Sequence, residues 1–144
     1  MSTAPTLNGQ VIGQAHYATR ALLERAVAPL GLSFGQVLVL NVLTDGPVER
    51  DHLTHRITST LKVDGPAVQE VIAGLVDANL AQDDTDGARI RLTDTGQATQ
   101  ARVADAVSGI TARLYADIPA DEASAAARAL TVVTQRANAE LAAA

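Results

Sequence analysis

Apolar residues recur every three to four positions through most of this chain, and the interruptions fall where helices can end. Val11, Ile12, Ala15, Ala18, Leu22, Leu23, Ala26 and Val27 share one face and predict a first helix over 8–28. Pro29 and Gly31 end it. In "LSFGQVLVLNVL" Ser33 and Gln36 stand at capping-box spacing, so each side chain can accept from an otherwise orphaned amide. A second helix then covers about 34–43, stopped by "TDGP". A third starts near Glu49 or Arg50 and carries Leu53, Ile57 and Leu61 on one face. A fourth starts between Asp64 and Pro66. Asp64 suits the cap, and proline is tolerated in the first turn because its missing N–H would have no partner there. Val68, Val71, Ile72, Leu75 and Val76 are its expected buried stripe, and Asn79 its left-handed end.

After Asn79 the period drops from that of a helix to two. Residues 80–82, the turn "DDTDG" and residues 89–92 read as a short hairpin in which Arg89 and Arg91 share the outer face. Thr93 opens a long helix over about 94–116. Ile118 and Pro119 break it, and a last helix rich in small residues covers about 120–142. The expected fold is therefore mainly α with a small β-hairpin wing: a winged helix-turn-helix over about 33–93, plus a helical dimerisation lobe from helices at about 7–29 and 94–142. All 144 residues form a single domain in this reading. The outer helices carry more apolar and small-residue surface than the middle part can cover, and a second copy would cover it.

Composition narrows the chemistry. Aromatic residues make up only 2% of the chain (Tyr17, Phe34 and Tyr115), so the core must be aliphatic. With no cysteine there is no disulfide, thiolate metal site or thiol redox switch. No apolar run reaches the roughly 18 residues a membrane helix needs, and "MSTAPTLNGQ" carries no secretory signal pattern, so a cytosolic protein is expected. No glycine-rich phosphate loop follows a strand and no nucleophile elbow is present, so neither an enzyme nor a cofactor is expected. The net charge of −5 argues against indiscriminate binding to polyanions.

Four stretches together resemble the MarR family of bacterial transcription regulators: "GLSFGQVLVLNVL", "LTHRI", "VQEVIAGLVDANLAQ" and "IRLTDTGQ", in that order and spacing. With the flanking helices the resemblance covers nearly the whole chain. It implies an intertwined homodimer that binds palindromic double-stranded DNA, commonly as a repressor released by a small aromatic or phenolic effector. Three features differ from the family pattern. The segment "TSTLKVD" is longer than the usual turn before the recognition helix, the wing is short and lacks an Asp-x-Arg-Arg run, and the recognition helix has no basic residue.

The third difference bears directly on DNA binding. Residues 33–93 hold five cations against nine acids, and between Val63 and Ala88 there is no Lys or Arg at all. A basic face must come from Arg56, Lys62, Arg89 and Arg91, with neutral phosphate contacts from the hydroxyls of Thr58, Ser59 and Thr60 just before the fourth helix. On that helix Pro66, Ala67, Gln69, Glu70 and Ala73 are expected to face outward. Gln69 can pair with an adenine edge, Glu70 can accept from a cytosine amine, and the alanines can touch thymine methyls. The plainer alternative is a solvated polar face on a winged-helix dimer that serves as a protein-interaction module.

In the family's ligand cleft, His16, Tyr17 and Arg20 of the first helix are candidates to meet an anionic aromatic effector; dimer packing is the competing role. His52 and His55, near Glu49 and Asp51, have a spacing that metal sites also use, but a surface or phosphate-facing role is the expected one, and no metal site is assigned.

Overall fold

The computed structural model describes residues 4–143. The reading of the N-terminus rests partly on residues 1–3, which lie outside that range. Among the described residues six α-helices and three short strands follow one another: α1 (Gly9–Val27), α2 (Phe34–Val42), β1 (Val48–Glu49), α3 (Arg50–Leu61), α4 (Gly65–Asp77), β2 (Ala81–Asp83), β3 (Arg89–Leu92), α5 (Asp94–Tyr115) and α6 (Ala120–Ala142). The caps are largely those the sequence marks. The Asn8 side chain accepts from the Val11 amide at 3.0 Å. Ser33 and Gln36 form both bonds of the capping box, at 3.3 and 3.0 Å. Asp64 accepts from the Ala67 amide at 2.9 Å. Asn79 takes the left-handed conformation, with φ 61°.

One compact unit runs to Ile110 and a second begins at Thr111. The core of the first is aliphatic, as the composition requires. Val37, Leu40 and Leu43 meet Leu53 and Ile57 of α3, Val68, Ile72 and Leu75 of α4, Ile90 and Leu92 of β3, and Val103 of α5. Fully burying one such side chain contributes about 1.5–3 kcal/mol, so the α4 stripe alone holds this helix firmly to the unit. Val71 and Val76, expected in that stripe, are only partly buried at its margins. In the second unit, every residue of α6 except Ala129 is exposed. Among the described residues no single helix is long and apolar enough to cross a membrane.

Two expectations need correction. "TSTLKVD" is not a long turn. α3 continues through Leu61, Lys62 closes it in the left-handed region with φ 59°, and only Lys62 to Asp64 separate α3 from α4. Adding residues to an existing helix gains one backbone bond per residue fixed, so the extra residues lengthen the helix instead of loosening the turn. The wing is also more than a hairpin. β1 pairs antiparallel with β3, giving the strand order β1-β3-β2 with Val48 opposite Ile90 and Ala81 opposite Leu92. A two-residue strand is too short for its alternation to stand out in sequence.

The base of the wing is fixed where three segments meet. The Thr93 amide donates to the Leu80 carbonyl at 3.1 Å. The Thr93 hydroxyl donates to the Asn79 carbonyl at 2.7 Å and accepts from the Gly96 amide at 2.9 Å. Gly96 lies so close to Leu80 that an added Cβ would stand 1.9 Å from its carbonyl oxygen. Replacing a helical glycine by alanine ordinarily stabilises by up to about 1 kcal/mol. Gly96→Ala is expected to reverse that sign and destabilise by at least about 2 kcal/mol. Gly65→Ala, where an added Cβ meets nothing within 4 Å, should be neutral or better. Urea unfolding of both variants checks this; equal midpoints would show that the contact at Gly96 is relaxed without cost.

Candidate nucleic-acid interface

The buried stripe of α4 decides which of its residues face solvent. Pro66, Gln69, Glu70, Ala73 and Asp77 are exposed, as expected of a reading face. Ala67 is not one of them. It is half-buried and turned into a cleft beside Val68 and Val71. Gln69 is exposed but engaged at both ends of its amide. Its oxygen accepts from Arg50 Nη1 at 3.3 Å, and its nitrogen donates to Thr54 Oγ1 at 2.9 Å. Arg50 in turn donates through Nε to Asp83 of β2 at 2.8 Å. Asp83, Arg50, Gln69 and Thr54 thus tie the wing, α3 and α4 into one polar brace. In this conformation Gln69 positions α4 and keeps one N–H and one lone pair for a base edge, beside the exposed Pro66, Glu70 and Ala73.

The expected cations are placed unevenly. Arg89 and Arg91 alternate with the buried Ile90 and Leu92, so both point outward from β3. The register sets Glu49 directly opposite Arg89. Arg91 approaches Asp84 at 3.5 Å, and with the Gln82 side-chain amide turned so that its oxygen faces the guanidinium, that oxygen accepts from Nε and Nη2 at 3.1 and 2.7 Å. Arg56 and Thr60 border a small cleft of about 230 Å³ with Leu38, Asn41, Val42 and Ile57, on the α2 side of α3. Lys62 closes α3 and stands two residues before the Asp64 cap of α4.

The three hydroxyls need the same correction as the turn. Thr58, Ser59 and Thr60 are in the last turns of α3, not in a loop at the mouth of α4. Thr58 Oγ1 donates to the His55 carbonyl at 3.0 Å, a bond typical of a helical threonine. Among the described residues no three histidine or acidic side chains come together as a metal-binding group.

A second feature lies between α1 and the helices beneath it. A cleft of about 310 Å³ is lined by Arg20 and Glu24 of α1, Phe34 and Gly35 of α2, Ile57 and Leu61 of α3, and Val63, Ala67, Val68 and Val71 at α4. The Arg20 guanidinium sits 4.4 Å above the centre of the Phe34 ring and pairs with Glu24 at 3.1 Å. His16 and Tyr17 do not line it. Their rings contact each other with centroids 5.5 Å apart, and Tyr17 is 72% exposed. They lie one helical turn before Arg20 on the same side of α1, beyond the end of the cleft. Sequence reasoning missed Phe34, which it only counted among the aromatics. It also missed Arg50, whose partners are 19 and 33 residues away.

No known family profile and no curated protein matches this sequence. Solved structures do match the fold. A mutant of MarR from E. coli, complexed with operator DNA, superimposes with a TM-score of 0.71 at 21% identity, covering 87% of this chain and 91% of that one. CouR from Rhodococcus jostii RHA1, bound to p-coumaroyl-CoA, gives 0.73 at 16% identity, with 88% and 90% covered. A MarR-family protein of Mycobacterium tuberculosis in complex with DNA gives 0.66 at 22% identity, with 90% and 98% covered. Over about nine-tenths of its length the chain has the winged-helix fold of the MarR-family transcriptional regulators.

Proposed function

We propose that this protein is a sequence-specific DNA-binding regulator that acts as a homodimer on a palindromic operator, in the usual repressing mode of such proteins. The observation that carries this reading is the exposed face of α4, held by a fully buried stripe beside a wing that turns Arg89 and Arg91 outward. The likeness in fold to proteins crystallised on DNA supports it. Two copies of α4 would enter successive major grooves about 34–36 Å apart. With Arg56, Lys62, Arg89 and Arg91 as the phosphate-facing candidates, a dimer neutralises at most about eight phosphates, and the slope of log K against log salt is shallower than about −7. Selection of duplexes from a random pool at two salt concentrations tests this. An enriched palindrome with such a slope is expected. Recovery of none at low salt would remove the DNA reading and leave a protein-interaction module, a role that the excess of acids over cations in residues 33–93 would suit.

The dimer rests on apolar surface that is left in water. Leu130, Val132, Val133 and Leu141 are exposed on α6, as are Leu114, Tyr115 and Ile118 before it and Leu7 and Val11 at the start of the chain. A second copy would cover these positions, because most helical stability in proteins comes from packing an apolar face against a neighbour. Sedimentation at micromolar concentration should give a dimer; a stable monomer would contradict it.

The cleft at Arg20 is the place we assign to an effector, a small aromatic acid. Its ring would lie against Phe34, Val63 and Val71, and its carboxylate would take Arg20 from Glu24. The CoA thioester bound by CouR shows that this fold admits an aromatic effector in that protein. Because α3 and α4 form one wall, an occupant bears directly on the reading helix. Such acids should release the selected operator from the wild-type protein, and Arg20→Ala should need at least about tenfold more ligand, as expected for the loss of a charge-assisted bond. An unchanged titration would place the effector elsewhere.

A further inference from the structure

We infer that the wing carboxylates Asp83 and Asp84 act as internal competitors for DNA phosphate, holding Arg50 and Arg91 and so limiting the grip of this lobe on DNA of arbitrary sequence. The inference rests on the DNA-binding reading above and goes beyond it by assigning a role to acids that a DNA-facing wing would be expected to avoid.

The geometry is local and specific. Asp83 meets Arg50 Nε at 2.8 Å, and Asp84 meets Arg91 Nε at 3.5 Å. Two of the five cations in residues 33–93 are therefore already facing oxyanions. Both pairs are partly exposed, with side-chain exposures of 31% and 42% for Arg50 and Asp83 and of 52% and 29% for Arg91 and Asp84. Exposed pairs of this kind are weak, worth at most about 1 kcal/mol. They are too weak to lock an arginine away permanently but strong enough to compete when a phosphate arrives without other contacts. A correctly docked operator supplies those contacts and displaces the carboxylates. A random duplex does not, and most non-specific affinity comes from phosphate neutralisation alone. The wing acids thus lower non-specific binding more than specific binding.

A third acid on the same turn provides the control. Asp86 carries the same charge but pairs with no cation among the described residues; its Oδ1 accepts from the Ala88 amide at 3.1 Å, a bond asparagine can keep. Asp83→Asn and Asp84→Asn each remove one charge and free one arginine from its only oxyanion among the described residues, leaving it the neutral amide oxygen of Gln69 or Gln82, which a phosphate displaces more readily. Asp86→Asn removes one charge and releases none. The measurement is affinity for a random-sequence duplex across a salt series, with melting temperature confirming that each variant is folded. Asp83→Asn and Asp84→Asn should each tighten non-specific binding about two- to fivefold for each arginine released. They should also steepen the log–log salt slope by roughly 0.9 for each arginine released, twice that for a dimer. Asp86→Asn should leave the slope unchanged. If Asp86→Asn steepens the slope as much as the other two, general charge and not arginine release is at work, and the inference is overturned. It is equally overturned if Asp83→Asn and Asp84→Asn change nothing while the wild-type protein still selects its palindrome, a result that leaves the proposed function standing. If neither the wild-type protein nor any variant binds duplex DNA, both fall together.

Discussion

The contact between Thr93, Gly96 and the Asn79–Leu80 carbonyls joins the end of α4, the end of β3 and the start of α5 at one point. Everything the reading face does depends on it. The left-handed turn at Asn79 sends the chain from α4 into β2, and the Thr93 bonds return β3 to the same two carbonyls. α5 starts there with no room for a side chain, because Gly96 lies against the Leu80 carbonyl. A larger residue would force α5 and the wing base apart. The orientation of the wing relative to α4 is thus set by backbone groups, which tolerate little displacement, and only then refined by the side-chain brace from Asp83 to Thr54.

That brace changes how the polar surface of this lobe is understood. As isolated residues, Gln69 is a base reader, Arg50 an unassigned cation and Asp83 a liability. Together they form a chain of hydrogen bonds that spans the wing, α3 and α4. Each bond is exposed and individually modest. The arrangement spends polar groups on internal order that a more basic protein would present to DNA. A lobe built this way favours selectivity over affinity, since little of its charge acts at a distance and much of its recognition must come from fit.

The cleft beneath α1 is linked to the same elements. Phe34, Ile57, Val68 and Val71 belong to the helices that also carry the core residues Val37, Leu53 and Ile72. Close-packed aliphatic helices do not deform one at a time, so occupancy of the cleft and the position of α4 are parts of one packing problem. With two partners for its charge, the half-buried Phe34 ring and the exposed Glu24, Arg20 is poised at the rim and not buried within.

Much of the fold was legible in the sequence because its signals are local. Helical periodicity, the Ser33–Gln36 box, the Asp64 cap, the left-handed Asn79 and the alternation of Arg89 to Leu92 each follow from residues within a few positions of one another, and each is found where the sequence places it. The misses share one cause, which is distance along the chain. β1 exists only because β3, some forty residues on, offers it an edge. α3 runs through Thr58, Ser59 and Thr60 because its buried face continues to Leu61 against neighbours from other helices. Gln69 is also a brace because Arg50 and Thr54 converge on it, and Ala67 turned inward because α1 and α2 form a cleft there. The sequence by itself determined the order of elements and the faces they bury, since backbone conformation and apolar spacing are properties of neighbouring residues. Only the tertiary structure decided which polar groups remain available, since a hydrogen bond or ion pair depends on where two distant side chains are brought within about 3 Å of each other.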